Sequence, residues 1–249
     1  MKEQEMAQNN LIFKAIVGSK LYGTSTENSD VDHVGIFIPN KDYVLGLKTC
    51  EQVEIKTNSS DSGRRNTKED SDTTLYSLPK FIKLATENNP NILEIFFVTE
   101  PEYCNEYGKK LIESYPYFIS KKLVPRFLGY AKAQKLKVLN KNPIGERKKY
   151  IEQFGYDVKF ASHIIRLLAE ALDLLNFGAL SFPLTWSTFI REIKEGKHSW
   201  EYVLEYANQL EELIKHAEEG TKIPNKPDFD AIENLQMSLL SSWWSSTCQ

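Results

Sequence analysis

Short apolar runs separated by polar turns fill the first part of the chain, and helical periodicity takes over beyond Glu100. Four of these runs have the length and the flanking turn residues of β-strands. They are Leu11–Val17, Val31–Ile38, Gln52–Lys56 and Asp72–Tyr76. Later segments repeat apolar residues every three or four positions, as amphipathic helices do. The pattern predicts an α+β fold, with a mixed sheet and helices over residues 1–110 and an all-helical domain over residues 111–249.

Turn and cap residues indicate where the helices begin and end. Ser77 is placed to cap a helix that carries Pro79 in its first turn. In a later helix, near 124–139, the side chains of Phe127, Tyr130 and Leu136 are expected to face the core. Gly and Pro separate the helical segments that follow. These segments are 155–178, 186–195, 200–219 and 228–244.

The composition is that of a globular protein. The chain has 249 residues, of which 41 % are hydrophobic and 26 % charged, close to the averages for folded domains. No apolar run approaches the roughly 20 residues of a membrane span, and the polar N-terminus lacks the apolar core of a signal peptide. The three cysteines are far apart and odd in number, which favours reduced thiols over a disulfide framework. These features predict a cytoplasmic protein with no membrane partner.

Positive charge is concentrated in one segment of a chain whose formal net charge is −3. Residues 121–149 contain ten Lys and Arg and one Glu, which gives the segment a formal charge of +9. Such a segment is either a solvated helix face or a track for a phosphate backbone. The contrast with the rest of the chain favours the track, and with it a local contact to nucleic acid.

The stretch from Gly18 to Asp32 combines a phosphate-binding turn with two carboxylates. Gly18 follows the first predicted strand and, because it has no Cβ, lets the backbone approach a ligand closely. Ser19 adds a hydroxyl, and the N–H groups at the start of a following helix attract phosphate. Asp30 and Asp32 are spaced i, i+2 where the next strand begins, and in extended backbone both side chains point to one face. The stretch predicts a phosphate site beside a carboxylate pair.

Two carboxylates on one face repel each other unless a cation lies between them. Hard divalent cations with oxygen ligands meet that need, Mg²⁺ above all, with Mn²⁺ able to substitute. Asp30 and Asp32 are therefore predicted metal ligands. Asp-x-Asp and Gly-Ser are each common in turns and loops. Only their joint occurrence between two apolar strands predicts chemistry on a nucleoside triphosphate.

The pattern Gly18-Ser19, followed by Asp30-Val31-Asp32, resembles the signature of the DNA polymerase β-type nucleotidyltransferase superfamily. The wider context is Gly-Ser-Lys-Leu-Tyr-Gly-Thr, followed by Ser-Asp-Val-Asp-His-Val-Gly-Ile-Phe-Ile-Pro. It is similar to the RNA-ligase-associated nucleotidyltransferases within that superfamily. The resemblance implies a polymerase β-type sheet in the N-terminal domain and a two-metal, Mg²⁺-dependent enzyme of the EC 2.7.7 type.

The resemblance also implies a third acidic residue, on a neighbouring strand. In the superfamily this residue binds the metal and takes the proton from the attacking hydroxyl. Asp72, at the start of the fourth predicted strand, is the candidate for both roles, and Glu69 and Asp70 are the alternatives. Asp72 would complete a catalytic and metal-binding set with Asp30 and Asp32.

Lys159, His163 and Arg166 are spaced i, i+4 and i+7, on one face of a predicted helix. Three polar residues among apolar neighbours either face solvent or line a site. The resembled family has a similar Asp-x-Lys…His-x-x-Arg-Leu segment in its helical half. By that resemblance these side chains would face the nucleotide or the acceptor, and they are the predicted nucleotide-binding residues together with Gly18 and Ser19.

The residues and the resemblance together predict transfer of a nucleoside monophosphate from an NTP to an acceptor hydroxyl, with release of pyrophosphate. The predicted acceptor is an RNA 3′ end, as in RNA repair or processing, because of the basic segment and the resembled family's association with RNA ligases. The first alternative is transfer of AMP or another nucleotide to a protein or a small molecule. The second is a non-catalytic module that binds nucleotide or RNA.

Two further segments keep open interpretations. Residues 58–70 contain no apolar side chain, which predicts a loop that is either a solvated connector or a flap over the substrate. In the second case Arg64, Arg65 and Lys68 would meet phosphate. Glu94 lies in a segment similar to one of the resembled family and is either a support for the site or a structural residue at a helix end.

Overall fold

The computed structural model describes residues 2–26, 29–56, 71–139 and 145–247, and the loop predicted at residues 58–70 lies outside them. The chain forms two compact units. Unit 1 contains Met1–Phe118 and Pro227–Gln249, and unit 2 contains Ile119–Lys226. The final segment is thus grouped with the sheet. The expected division at residue 110 stays a prediction about independently folding domains.

A mixed β-sheet forms the centre of unit 1. Its described strands are β1 (Leu11–Val17), β2 (Val31–Phe37), β3 (Gln52–Lys56), β4 (Ser71–Ser77) and β5 (Tyr103–Cys104). Across the sheet the order is β3-β4-β2-β1-β5. Strands β2 and β4 are parallel, and the other described pairs are antiparallel. The four predicted strands are confirmed to within a residue at each end, because apolar runs bounded by turn residues are a local signal.

Helices complete unit 1 around this sheet. They are α1 (Lys2–Asn9), α2 (Gly18–Leu21), α3 (Lys41–Val44), α4 (Leu78–Thr86), α5 (Pro90–Leu93), α6 (Glu106–Glu113) and the C-terminal α12 (Phe229–Thr247). Met6 and Ala7 of α1 are buried with Phe37 and Leu75 of the sheet in one apolar cluster. This packing places one part of the core between α1 and the sheet.

Helix α4 begins at the predicted cap. The hydroxyl of Ser77 accepts a hydrogen bond from the N–H of Lys80 at 3.3 Å, and Pro79 lies in the first turn. The apolar stripe of the helix is buried. The predicted cap is therefore confirmed, as expected for a signal that depends on neighbouring residues alone.

The C-terminal helix α12 packs against elements of unit 1. The Nε1 of Trp244 donates a hydrogen bond to the carbonyl oxygen of Pro39 at 3.0 Å. The ring of Trp243 packs edge-to-face on Tyr107, with 5.2 Å between the ring centres. These contacts hold the segment Pro227–Gln249 in unit 1, although its helical pattern resembles that of the preceding segments.

Unit 2 is helical throughout its described part. Its helices are α7 (Leu123–Val138), α8 (Glu146–Phe154), α9 (Val158–Phe177), α10 (Ser187–Lys194) and α11 (Trp200–Gly220). Helix α9 is central, because α7, α10 and α11 all pack against it. The carboxylate of Asp157 caps α9 by accepting hydrogen bonds from the N–H groups of Lys159 and Phe160, both at 3.0 Å. The helices predicted for this part of the chain are confirmed, and none of the described helices is long and apolar enough to cross a membrane.

One part of the prediction for α7 is wrong. Phe127 is buried as predicted, but Leu136 is 81 % exposed. Ala131 and Val138 occupy the core positions on the side of Phe127. At about 100° per residue, Leu136 points roughly to the opposite side of the helix from Phe127. The periodicity of the sequence, applied strictly, would have excluded it from the core.

Part of the basic segment takes part in contacts within unit 2. The Nζ of Lys135 lies 2.7 Å from Oε1 of Glu211 and 3.0 Å from Oδ1 of Asn208. The Nζ of Lys121 donates to the carbonyl oxygen of Glu218 at 2.7 Å. These two lysines therefore contribute to helix packing, and a phosphate track would depend on the other basic residues of the segment.

Candidate active site

Two of the predicted catalytic carboxylates lie side by side on the sheet. Asp32 of β2 and Asp72 of β4 are register partners in the parallel strand pair. Register partners point to the same face, and neighbouring strands are about 4.8 Å apart. Glu69 and Asp70, the alternatives to Asp72, lie outside the described residues. The strand register thus brings together two carboxylates that are far apart in the sequence.

Gly18 lies directly against Asp32. Val17, the last residue of β1, is the register partner of Asp32, and Gly18 follows it with a φ of +68°. A Cβ added to Gly18 would lie 2.5 Å from Oδ2 of Asp32. The positive φ favours glycine, and a Cβ here would force the end of the Asp32 side chain to move. The Asp32 carboxylate therefore lies against the backbone where the chain passes from β1 into α2.

Helix α2 is a single turn that is attached to the core of unit 1. The N–H of Tyr22 donates to the carbonyl oxygen of Gly18 at 3.1 Å, which closes the turn around Ser19. The Tyr22 hydroxyl donates to Oε2 of Glu94 at 2.7 Å, and Glu94 is 3 % exposed. Glu94 thus anchors the turn that carries Gly18 and Ser19 through its hydrogen bond with Tyr22.

Asp30 immediately precedes β2, so the strand ladder does not set the direction of its side chain. In the part of the chain that the structure describes, no three His, Cys, Asp or Glu side chains form a group that could hold a metal ion. Carboxylates repel one another when no cation lies between them. The oxygen donors of Asp32 and Asp72, next to the Gly18 backbone, fit a hard divalent cation such as Mg²⁺ or Mn²⁺. The metal-binding assignment of all three aspartates stays a prediction.

The predicted nucleotide-binding residues of α9 lie in different environments. Lys159 is exposed, whereas Arg166 is 5 % exposed. The Nη1 of Arg166 donates to both carboxylate oxygens of the buried Glu170, at 2.9 and 3.1 Å. The Nη2 of Arg166 lies 3.0 Å from Nε2 of His163. Arg166 therefore makes its described contacts inside unit 2, and nucleotide binding by the three residues stays a prediction.

Positive charge surrounds the imidazole of His163. Burial, followed by the charges of Arg166, Arg147, Lys194 and Lys137, lowers the pKa of His163 to about 3. The imidazole is therefore neutral at pH 7, and its Nε2 accepts the hydrogen bond from Nη2 of Arg166.

Arg147 of α8 contributes a second paired guanidinium to this neighbourhood. Its Nη1 donates to both oxygens of Asp157, at 2.9 and 2.8 Å. Its guanidinium carbon lies 3.8 Å from the ring centre of Phe160, within the range of a cation–π contact. Asp157 thus has two functions, because it caps α9 and also fixes Arg147.

Lys194 at the end of α10 adds a half-buried ammonium group. Burial, followed by the charges of Lys159 and Arg166, lowers the pKa of Lys194 to about 8. Together with its neighbours on α8 and α9, Lys194 forms a group that we call the cation cluster. The cation cluster consists of Arg147, Lys159, His163, Arg166 and Lys194.

Three residues of this neighbourhood were not predicted from the sequence as part of a site. Glu170 was detectable, since it follows Arg166 by four positions on an apolar helix. Arg147 stood among the other basic residues of the segment 121–149, and nothing in the pattern distinguished it from them. Lys194 carried no local signal, because only the packing of α10 on α9 brings it to the cluster.

Replacing His163 by Gln is expected to flatten the dependence of unfolding free energy on acidic pH. The folded-state pKa of about 3 lies below the ordinary histidine pKa of 6.5, so the unfolded chain binds more protons between these values. Stability is therefore fully present above pH 6.5 and is lost as pH falls toward 3. Protonation of His163 on unfolding should by itself lower the free energy of unfolding by about 2 kcal/mol between pH 7 and pH 5. Urea unfolding at the two pH values measures this, with His216→Gln, on the exposed side of α11, as the control that keeps the full dependence.

A Gly-Ser turn after the first strand, next to carboxylates on two neighbouring strands, is the arrangement that the sequence predicted for a DNA polymerase β-type nucleotidyltransferase. A model of one family of this class, the RNA repair pathway DNA polymerase beta family (RlaP), matches residues 1–242. The chain belongs to that family. The resemblance seen in the sequence is thereby confirmed.

Two individual proteins are also similar to this chain, one over part of its length and the other at low sequence identity. An uncharacterized 38.9 kDa protein from the nrdC-mobD intergenic region of Enterobacteria phage T4 is 42 % identical over 91 residues, which are 36 % of this chain. The match spans 26 % of that phage protein's length. The crystal structure of a nucleotidyltransferase-like protein from Exiguobacterium sibiricum 255-15 is 12 % identical, with a TM-score of 0.32, over 98 % of this chain and 75 % of that one. Neither similarity identifies a substrate for this chain.

Proposed function

We propose that this protein is a Mg²⁺-dependent nucleotidyltransferase that transfers a nucleoside monophosphate from an NTP to the 3′ hydroxyl of an RNA. Two findings support the proposal. The chain belongs to a polymerase β family of an RNA repair pathway, and residues 121–149 carry a formal charge of +9 that suits a phosphate backbone. Because the match to the phage relative is partial, the substrate is inferred from this chain's own residues and from the family.

The observation that carries the proposal is the position of Asp32. It is opposite Asp72 across the parallel strands, and its Oδ2 is next to the Gly18 backbone. Nucleotidyl transfer needs oxygen ligands for a divalent cation next to a backbone that can approach phosphate. A structural pair of surface acids would not require a glycine with positive φ against one of them.

In this proposal each residue has a distinct part in the reaction. Asp32 and Asp72, with Asp30, would hold Mg²⁺, which when bound neutralises charge on the triphosphate and lowers the pKa of the attacking hydroxyl. Asp72 accepts the proton of that hydroxyl. The new bond joins the acceptor oxygen to the α-phosphorus, and the bond from that phosphorus to pyrophosphate breaks. Gly18 and Ser19 hold the triphosphate through backbone N–H groups and the hydroxyl, and Glu94 keeps their turn in place through Tyr22.

The test uses the purified chain, Mg²⁺ and each of the four α-labelled NTPs. The acceptor is an RNA oligonucleotide with a 3′ hydroxyl, and the matched control is the same oligonucleotide with a 3′ phosphate. Labelling of the first and not of the second is the expected result. Labelling of both RNAs, or of neither, would contradict transfer to a 3′ end. Label found on the protein itself or on a small molecule would show that the acceptor is not RNA, although nucleotidyl transfer takes place.

A further inference from the structure

Strands β2 and β4 are least buried at the ends that carry the candidate carboxylates. The first three residues of β2 are half-buried and its last four are buried, and the first four residues of β4 are half-buried. Asp32 lies in this end of β2, opposite Val17, the last residue of β1. The ends of strands open more readily than their buried centres. A functional carboxylate, however, must be held to within about 0.5 Å, so this end of β2 needs a support other than apolar packing.

A group of charged and polar side chains on the opposite face of the sheet contacts this end of β2. His33 follows Asp32, and neighbouring residues of a strand point to opposite faces. The Nε2 of His33 lies 3.2 Å from Oε1 of Glu102, and Oε2 of Glu102 lies 3.1 Å from Nζ of Lys14. We call His33, Glu102 and Lys14 the His33 clamp. The clamp joins the start of β2 to β1 and to the residue that precedes β5.

The His33 clamp lies on a part of this face where apolar packing is replaced by polar contacts. Phe37 and Leu75 lie farther along β2 and β4 on the same face, and both are buried against α1. The side chain of His33 is 13 % exposed, and those of Lys14 and Glu102 are 33 % and 37 % exposed. Partly exposed ion pairs add little to global stability. The clamp is therefore suited to hold one strand end rather than the whole sheet.

The imidazole of His33 is a poor choice for packing alone. Its Nδ1 is buried and has no hydrogen-bond partner in the described part of the chain. A buried nitrogen without a partner lowers stability, and a leucine at this place would avoid that cost. The imidazole offers what leucine lacks, which is an Nε2–H that a carboxylate oxygen can accept. This contrast favours a role for His33 in holding Glu102.

We propose that His33 is a positioning residue for Asp32. Its contact with Glu102, which Lys14 holds from β1, fixes the backbone at the start of β2 and thereby keeps the Asp32 carboxylate against Gly18 on the other face. The inference deepens the proposed function and rests on it for the part that Asp32 takes in catalysis. The effect of the clamp on the end of β2 does not depend on that part.

Hydrogen exchange of the backbone amides tests the clamp without an assay of activity. Glu102→Ala removes the carboxylate that His33 and Lys14 both contact, and the amides of residues 31–34 should then exchange about tenfold faster, because the strand end opens more often. The matched control is Glu100→Ala, since Glu100 is an exposed glutamate two positions earlier. It should change exchange less than twofold. Exchange that is as slow in Glu102→Ala as in the unmodified chain would overturn the proposal.

Two amide side chains separate the contact with Glu102 from the shape of the imidazole. Glutamine can place its amide nitrogen near the position of Nε2, whereas the nitrogen of asparagine lies near that of Nδ1. His33→Gln should therefore retain most of the transfer rate, and His33→Asn should lower it about tenfold, a part of the roughly 100-fold that a 1 Å displacement can cost. Equal rates for these two variants would contradict a positioning role.

His33→Leu distinguishes positioning from a contribution to stability. This variant should melt no lower than the unmodified chain, because it removes the buried Nδ1 that has no partner. It should nevertheless transfer nucleotide as slowly as His33→Asn, because it cannot hold Glu102. A His33→Leu protein with the full transfer rate would show that the contact is unimportant for Asp32.

A failure of this inference can be told apart from a failure of the proposed function. The Mg²⁺ concentration that raises the melting temperature reports on Asp32 without any transfer. It should increase about tenfold in His33→Asn and less than twofold in His33→Gln. If these shifts occur but the unmodified chain transfers no nucleotide, the positioning of Asp32 is supported and the proposed function is wrong. If the unmodified chain and His33→Asn label RNA at the same rate, the function is supported and the positioning role is wrong.

Discussion

Asp32→Asn and Asp72→Asn are each expected to lower the rate of nucleotide transfer by at least about 1,000-fold while the fold stays intact. Several kcal/mol of transition-state stabilisation depend on a correctly held metal, and each 1.36 kcal/mol corresponds to a tenfold change in rate. Asparagine keeps the shape of the side chain but removes its charge. Single-turnover rates with labelled NTP and the 3′-hydroxyl RNA measure the effect.

Asp42→Asn is the matched control for these two variants. Asp42 is an exposed aspartate of unit 1 that pairs with Lys48 at 2.6 Å, and its replacement should change the rate less than about twofold. A second readout does not depend on activity. Mg²⁺ should raise the melting temperature of the unmodified chain and of Asp42→Asn, but not that of Asp32→Asn. Full activity in either Asp32→Asn or Asp72→Asn would remove the proposed mechanism.

Gly18→Ala is expected to reduce transfer about 100-fold and to destabilise the protein by about 1–2 kcal/mol. The stability loss follows from the φ of +68°, a conformation that costs a residue with a Cβ about that amount. The activity loss follows from the Cβ, which would lie 2.5 Å from Oδ2 of Asp32. Because the end of the Asp32 side chain can rotate while the backbone cannot, the carboxylate should move. A displacement of about 1 Å in a catalytic group can cost roughly 100-fold in rate.

Gly129→Ala provides the comparison for this variant. Gly129 lies within α7, and a Cβ there would meet nothing within 4 Å. Alanine should therefore stabilise the helix by about 0.5–1 kcal/mol and leave transfer unchanged. Chemical denaturation and the transfer assay are applied to both variants. A Gly18→Ala protein with normal kinetics would show that the close approach of Asp32 to the backbone is unimportant for the chemistry.

Arg166 illustrates how a structure refines an interpretation based on a motif. The spacing of Lys159, His163 and Arg166 correctly placed them on one helix face. The ion pair with Glu170 shows that Arg166 makes its described contacts within the helix and with His163. Contact of Lys159, His163 or Arg166 with a nucleotide stays a prediction.

Local features of the sequence determined the elements of this protein and the position of the turn. The strands β1 and β3 were predicted to the residue, and the Ser77 cap and the Gly18–Ser19 turn lie where the sequence indicated. Such signals depend on interactions between residues within a few positions of each other, such as a hydroxyl that accepts from an N–H three residues later.

The tertiary structure alone decided which distant residues meet. The parallel register of β2 and β4 set Asp72 opposite Asp32, the contact of Trp244 with Pro39 grouped α12 with the sheet, and the packing of α10 on α9 brought Lys194 to the cation cluster. These pairings are separated by tens to hundreds of residues, and no local pattern records them. They follow from the shared burial of apolar faces, which depends on the whole chain at once.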